Sequence, residues 1–200
     1  PGVGRNGEDT EERPADEVVS EIKAAGGTAI ANYGSVAEYD TAGRMVKECA
    51  DTFGKIDFLV NVAGMLRERM IWNMTEDDFD QVVNVHLKGH WNMCHHAIKL
   101  MRTQRHGRIV NFSSDAFKGS VGQCNYAAAK AGIIGLTRTI TRECGRYGIT
   151  ANAMCPMAAT RMTVNDAVIA GWKRRLDSGL LTQAQSVSYT HLTLPTILPV

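Results

Sequence analysis

The segment from Ile56 to Val62 is nearly all apolar and is bounded by Gly54 and by Ala63–Gly64. A run this short and this uniformly apolar fits a strand buried on both faces of a parallel sheet. Parallel neighbours cannot be joined by a hairpin; they need a long crossover, usually a helix. The flanking sequence supplies one. Residues 36–53 are amphipathic and stop at Gly54, and a second helical pattern runs from 75 to about Gln104. Further apolar segments at 108–113 and 150–154 are again separated by a helical stretch, reaching from the Tyr126 region to about Tyr147. Buried strands alternating with helices predict right-handed crossovers and an α/β, doubly wound parallel sheet of Rossmann-like type. Two hundred residues with 44% hydrophobic content are enough for a single domain with a real core.

The remaining segments fill in this plan. Residues 1–13 read as a loop rich in Gly, Asp and Glu. Pro14 suits the first turn of a helix that reaches about Ala25, with Val18, Val19 and Ile22 as its apolar stripe and Gly26–Gly27 as its stop. Thr28–Tyr33 reads as a short strand. Thr75 with Asp78 forms a capping-box-like start, and Glu76, Asp77 and Asp78 suit the positive end of the helix. A last helix is expected over 163–176.

Composition removes several functions. The net charge is +1, with Lys and Arg scattered, so no field attracts nucleic acid or an anionic membrane. No apolar run is long enough to span a bilayer. Five cysteines without a CxxC pair suggest reduced thiols and a cytoplasmic location. His86, His90 and Cys94 share a helical face at spacings a metal could use, but a single helix supplies no fourth ligand, so no metal is expected. His95 and His96 are adjacent and point apart.

The chemistry concentrates in Asn125-Tyr126-Ala127-Ala128-Ala129-Lys130-Ala131-Gly132. A tyrosine and a lysine four apart on a helix lie on one face, a turn from each other. An ammonium near a phenol favours the phenolate and draws the tyrosine towards working pH, where it can exchange a proton with an alcohol or carbonyl. Just upstream, Gly107-Arg108-Ile109-Val110-Asn111-Phe112-Ser113-Ser114 is an apolar strand that ends in two serines.

The run from Gly107 to Thr137, with Asn61-Val62-Ala63-Gly64 upstream, resembles the short-chain dehydrogenase/reductase family over about residues 2–185. Gly2-Val3-Gly4, Ala31–Val36, Val85–Gly89 and the loop from Pro156 to Thr163 are most similar to one subgroup. It contains the hydroxyacyl-CoA dehydrogenase unit of peroxisomal multifunctional enzyme type 2. The resemblance implies Tyr126 as acid/base and Lys130 as its partner and ribose contact. A serine at the strand end would hold the substrate oxygen. Counting along the strand selects Ser114, and counting back from Tyr126 selects Ser113. Strands keep register better than loops, so Ser114 is expected. The family's fourth catalytic residue is a helix asparagine, and His86 stands in its place, as in that subgroup. A ring nitrogen of His86 could bind the water of the family's proton relay.

The cofactor contacts implied are Ser35 and Val36 on the adenine side, Asn61, Val62, Ala63 and Gly64 after the central strand, Tyr126 and Lys130, and Pro156, Ala158, Ala159, Thr160 and Arg161 at the nicotinamide end. Three positions depart from the family pattern: Val62 stands for a second asparagine, Gly34 for an aspartate, and Met157 for a glycine. Met65, Met154, Met157 and Met162 could line an apolar pocket, though core filling is the default for methionine.

The ends of the sequence set further expectations. Gly2-x-Gly4 neither follows a strand nor opens a helix, so it is not the phosphate-binding fingerprint. The domain (residues 1–185) is therefore expected to lack its first βαβ phosphate-binding unit and its last strand. Residues 186–200 read as a non-native tail, because Val187-Ser188-Tyr189-Thr190-His191-Leu192 looks like a reading frame of a sequencing-library transposon end. The expected function is hydride exchange between a nicotinamide cofactor and a secondary alcohol or ketone, a 3-hydroxyacyl thioester in particular. NAD is the expected cofactor and NADP is not excluded, since the discriminating residue would lie upstream of Pro1. The alternatives are an NADPH-dependent 3-oxoacyl-carrier-protein reductase and an inactive truncated fragment. A homodimer or homotetramer is expected.

Overall fold

The computed structural model describes residues 2–3, 9–10, 14–156 and 189–192. Two strands, β1 (Gly2–Val3) and β2 (Asp9–Thr10), pair antiparallel where the sequence suggested only loop. Helix α1 (Pro14–Ala24) follows as expected. The expected strand at Thr28–Tyr33 does not form. A strand requires a neighbour to satisfy its ladder, and among the described residues this segment has none in the sheet.

The main sheet consists of β3 (Phe58–Asn61), β4 (Gly107–Phe112), β5 (Ile149–Pro156) and β6 (Tyr189–Leu192), in that spatial order. The β3–β4 and β4–β5 pairs are parallel, with Asn61 opposite Asn111 and Phe112 opposite Met154. β6 adds antiparallel to β5, with Ala153 opposite Leu192. The stretch expected to be a non-native tail thus contributes a strand pairing, while the rest of residues 186–200 lies outside the described set. The helix expected over 163–176, the residues from Met157 to Arg161 and Met162 also lie outside it.

Helix α2 (Tyr39–Phe53) ends at Gly54, whose positive φ of 80° and bond to the Ala50 carbonyl form the expected stop. α3 (Glu76–Val83) opens with the expected box: Asp78 N–H donates to Thr75 Oγ1 at 3.0 Å, and Thr75 N–H donates to the Asp78 carboxylate at 3.2 Å. One π turn, Asn84–Lys88, joins α3 to α4 (Gly89–Gln104). α5 (Cys124–Cys144) carries Tyr126 and Lys130.

One face of the sheet is sealed. Leu59, Ile109, Ile149 and Ala151 pack against Cys94, Ala97 and Met101 of α4 and Ile140 and Cys144 of α5, with Val46 of α2 behind them. The other side chains of β3 are open: Phe58 is 71% exposed and Val60 55%. The apolar run predicts burial on both faces, yet the burial of β3 alternates. β3 is the edge of this sheet, and no described helix covers its second face.

A polar chain crosses the sealed face. Asn61 Nδ2 donates to Asn111 Oδ1 at 2.8 Å, Asn111 Nδ2 donates to Thr137 Oγ1 at 3.0 Å, and Thr137 Oγ1 donates to the Ile133 carbonyl at 2.7 Å. Asn111 and Thr137 are fully buried. The chain fastens β3 to β4 and β4 to α5, so the two strand ends and the helix that carry the candidate site move together. Asn111→Leu leaves buried amide and hydroxyl groups without their partner. It should lower the unfolding free energy by about 2 kcal/mol or more. Urea denaturation checks this, and a loss below about 0.5 kcal/mol contradicts the network's role.

Candidate active site

The carboxyl ends of β3, β4 and β5 lie side by side, the place where open α/β sheets bind ligands. The two serines after β4 take opposite duties. Ser113 is 3% exposed, and its hydroxyl donates to the Lys130 carbonyl at 2.8 Å. Ser114 is half-buried, its oxygen accepts from Ala116 N–H at 3.3 Å, and its hydroxyl is hydrogen-bonded to that of Tyr126. The alternation of strand side chains separates the two, and Ser114 is the one brought to Tyr126.

Lys130 is 3% exposed and donates from Nζ to the Phe112 carbonyl at 2.6 Å. The ammonium sits 5.3 Å from the centre of the Tyr126 ring, over its face. Burial lowers the Lys130 pKa to about 8, against a smaller opposing effect of the Cys155 thiol. Tyr126 goes the other way from the sequence expectation. Burial is the main cause of a raised pKa, the Ser114 hydrogen bond opposes it, and Cys155 and Glu68 add to the rise. Lys130 reaches the ring and a carbonyl rather than the phenol oxygen, so it does not counter the desolvation. The expectation that Lys130 draws the phenol down is corrected here: without a further ligand Tyr126 is held protonated.

His86 lies in the π turn, 2% exposed, with its ring edge-on to Tyr126 at 5.0 Å. Its Nε2 lies 2.8 Å from the Met65 carbonyl and 3.1 Å from the Met65 N–H. Burial, then the Lys130 charge, lowers its pKa to about 3. Gly64 gives the ring its space, since a Cβ there would fall 2.3 Å from His86 Cε1. Val62 is 58% exposed, and Ala63 and Gly64 are also exposed, so they form an open ledge beside Tyr126, while Asn61 turns inward to Asn111. Asn61 is therefore bound to the core.

Ser35 is exposed, and the backbone beside it is pinned. Asn92, fully buried on α4, donates from Nδ2 to the carbonyls of Val36 (2.8 Å) and Ala37 (3.2 Å). Val36 packs on Gly89, where a Cβ would lie 2.8 Å from its Cγ2. Asn125 does the same for α5: its Nδ2 donates to the carbonyls of Arg67 (3.0 Å) and Asp78 (2.9 Å). Sequence reasoning missed Asn92, Asn125 and Cys155 as neighbours of the site. Asn125 precedes Tyr126 directly, and position was the signal that could have found it. Of the methionines expected to line a pocket, Met65 is buried beside His86, Met154 is half-buried on β5, and the other two lie outside the described residues. No group of three or more metal-ligating side chains occurs among the described residues.

A parallel α/β sheet with its polar cluster at the strand carboxyl ends is the architecture of dinucleotide-binding proteins. This chain belongs to the short-chain dehydrogenase/reductase family: the family model for short chain dehydrogenases matches residues 8–168. It is 42% identical over 163 residues to the peroxisomal hydratase-dehydrogenase-epimerase of Neurospora crassa, covering 81% of this chain and 18% of that protein. It is 44% identical over 154 residues to a 3-oxoacyl-acyl-carrier-protein reductase of Synechocystis, covering 76% and 62%. A crystal structure of a short chain dehydrogenase from Mycobacterium avium superposes with a TM-score of 0.71 at 48% identity, covering 76% of this chain and 56% of that one. The chain spans less than two thirds of each of these proteins.

The buried histidines make stability depend on pH. His86 and His90 titrate at about 3 and about 4 in the folded state, each lowered mainly by burial and then by Lys130. In the unfolded chain both titrate near about 6.5. A depressed folded pKa gives stability that is complete above the unfolded value and is lost as pH falls towards the folded one. Between about pH 6.5 and 5 the unfolding free energy should fall, with a limiting slope of about 2.7 kcal/mol per pH unit for two protons. Urea titrations at several pH values measure it, and a flat profile contradicts the burial of these rings.

Proposed function

We propose that this chain exchanges a hydride between a nicotinamide cofactor and a secondary alcohol or ketone, with a 3-hydroxyacyl thioester as the substrate and NAD as the preferred carrier. The observation that carries the reading is the Ser114–Tyr126 hydroxyl contact with the Lys130 ammonium a turn behind, at the carboxyl ends of the strands. The donor set fits the cofactor at its two ends. The exposed residues Val62, Ala63 and Gly64 admit a flat ring, Lys130 keeps N–H groups beyond the one on Phe112 for a ribose, and Ser35, exposed on the adenine side, keeps its hydroxyl hydrogen to donate while its oxygen accepts from Ala37 N–H at 3.3 Å. The nicotinamide supplies the hydride site when bound.

The chain's own residues handle the proton. Ser114 donates to or accepts from the substrate oxygen, holding it beside Tyr126. In the reducing direction the Tyr126 hydroxyl gives its proton to the oxygen that becomes the alcohol. In the oxidising direction the Tyr126 phenolate takes the alcohol proton as the carbonyl forms. The raised Tyr126 pKa favours reduction at neutral pH and oxidation at higher pH. That asymmetry supports a second reading, a 3-oxoacyl-carrier-protein reductase, to which the similarity to the Synechocystis reductase adds weight. In both, Tyr126, Ser114 and Lys130 keep their roles, and His86 steadies the floor of the site through Met65. Pro156, Ala158, Ala159, Thr160 and Arg161 are retained in the proposal as the nicotinamide-end loop.

A homodimer or homotetramer is part of the proposal, supported by Trp91, which is 42% exposed on α4 and stacks on Tyr39. Ile140, by contrast, is buried in the core. Five free thiols fit a compartment that keeps cysteine reduced, the cytoplasm being the plain reading. Two of the relatives, from Neurospora crassa and Drosophila melanogaster, are named as peroxisomal enzymes. No helix among the described residues is long and apolar enough to cross a membrane.

Tyr126→Phe tests the reaction. With a 3-oxoacyl thioester and NADH or NADPH, turnover should fall by about a hundredfold or more while cofactor affinity stays nearly constant, because only the transferable proton is removed. Retention of about a tenth of the activity or more would overturn the assignment.

A further inference from the structure

The connection between β3 and α3 rises as a hump at the start of α5, and its two feet rest on consecutive residues there. At one foot Arg69 pairs with Gln123 as a parallel bridge, and the Arg69 N–H donates to the Gly122 carbonyl at 2.9 Å. At the other the Cys124 thiol meets the Met74 sulfur at 3.3 Å. Gln123 Nε2 donates to the Glu68 carboxylate at 2.6 Å, and Asn125 Nδ2 holds the Arg67 carbonyl. Between the feet the chain closes one 3₁₀ turn, Ile71–Asn73, with the Asn73 N–H on the Met70 carbonyl at 2.8 Å. Pinned at both feet and closed within, the hump presents a surface of defined shape.

That surface is apolar. Trp72 is 73% exposed and Ile71 69%, and Val121, the neighbour of Gly122 at the first foot, is 86% exposed. None of the three belongs to the core cluster that seals the sheet. A concentration of large exposed apolar side chains marks a place where something binds, whereas scattered ones need no explanation. The charges flanking them are matched within the chain. Arg69 lies 3.8 Å from the Asp78 carboxylate, Glu68 takes the Gln123 amide, and Lys118 pairs with Asp115. What the hump offers a ligand is therefore chiefly apolar area.

Its place selects the ligand. Val121 lies on the connection between Ser114 and Tyr126, and the hump stands at the turn of α5 that carries Tyr126. A substrate oxygen held by those two hydroxyls brings a substituent of its carbon beside this surface. We propose that Trp72, with Ile71 and Val121, is the platform for the alkyl chain of the acyl group, so that selectivity for chain length resides there. The proposal rests on the acyl thioester reading given above. A neutral hydrocarbon chain suits an apolar surface with matched charges, and the phosphate-bearing carrier at the other end of a thioester does not. Each methylene moved from water onto such a surface is worth about fourfold in affinity.

The test is calorimetric titration of the full chain with butanoyl-CoA and decanoyl-CoA, which have no 3-oxygen to react, beside turnover of their 3-oxo forms with NADH and NADPH. Wild-type protein should bind decanoyl-CoA about thirtyfold or more tightly than butanoyl-CoA. Trp72→Ser replaces a side chain too exposed to matter to folding. It should shrink that preference by about tenfold or more, the worth of two methylenes, with the loss in the decanoyl arm. Trp72→Leu, which keeps an apolar surface, should retain most of the preference. A preference that Trp72→Ser leaves unchanged overturns the platform, as does wild-type protein that binds both thioesters equally. A Trp72→Ser variant with a lower molar mass by light scattering shows that a second copy covers the hump, and overturns it as well. A preference that shrinks as expected, in a protein whose wild type reduces no 3-oxoacyl thioester with either cofactor, refutes the proposed hydride exchange and leaves the acyl platform intact.

Discussion

A reciprocal pair of hydrogen bonds fixes the centre of this molecule. Ser113 at the end of β4 donates to the Lys130 backbone carbonyl on α5, and Lys130 Nζ donates to the Phe112 carbonyl on β4. The first is buried and the second half-buried, and at such depth a charge-assisted bond is shorter and stronger than a neutral one and a broken one is costly. The pair sets how α5 slides along the strand. Once that register is fixed, helix geometry places Tyr126 a turn ahead of Lys130, and strand alternation turns Ser114 towards it. The relative positions of the reactive groups therefore follow from an interaction between groups of which two are backbone carbonyls.

The surrounding polar residues extend the same rigidity outward. Asn111 ties β3 and α5 to β4, Asn125 ties the first turn of α5 to the Arg67 and Asp78 carbonyls, and Asn92 ties the Val36–Ala37 backbone to α4. These are buried asparagines, and the groups they donate to are buried or half-buried. Losing any of them would strand a carbonyl or an amide, so each contributes order at a site where loops would otherwise be loose. The π turn serves the same region. It brings His86 under Gly64 and beside Tyr126, in keeping with the tendency of such turns to occur at functional sites.

Much of this was legible in the residues. The apolar runs marked β3, β4 and β5, Thr75 and Asp78 marked the start of α3, and Tyr126 with Lys130 marked one face of α5. The failures have physical causes. Thr28–Tyr33 has the composition of a strand, but strand formation depends on a neighbour, which local composition does not reveal. The burial of Phe58–Asn61 was read from apolarity, whereas exposure depends on what covers the second face. The direction of the Tyr126 shift was read from charge proximity alone, while desolvation proved the larger effect. Asn111 could have been found by counting, because it shares the inward face of the strand with Ile109 and is polar there. Nothing in the sequence announced the π turn over Asn84–Lys88.

The central claim is that Ser113 holds the architecture and Ser114 meets the substrate. One comparison tests it: unfolding free energy and turnover measured side by side for Ser113→Ala and Ser114→Ala. Ser113→Ala, which leaves the buried Lys130 carbonyl without its donor, should lose about 1–3 kcal/mol of stability. Ser114→Ala should keep its stability within about 0.5 kcal/mol and lose about a hundredfold in turnover. If instead Ser113→Ala is stable and inactive while Ser114→Ala is unstable and active, the register described for the strand end and α5 is wrong.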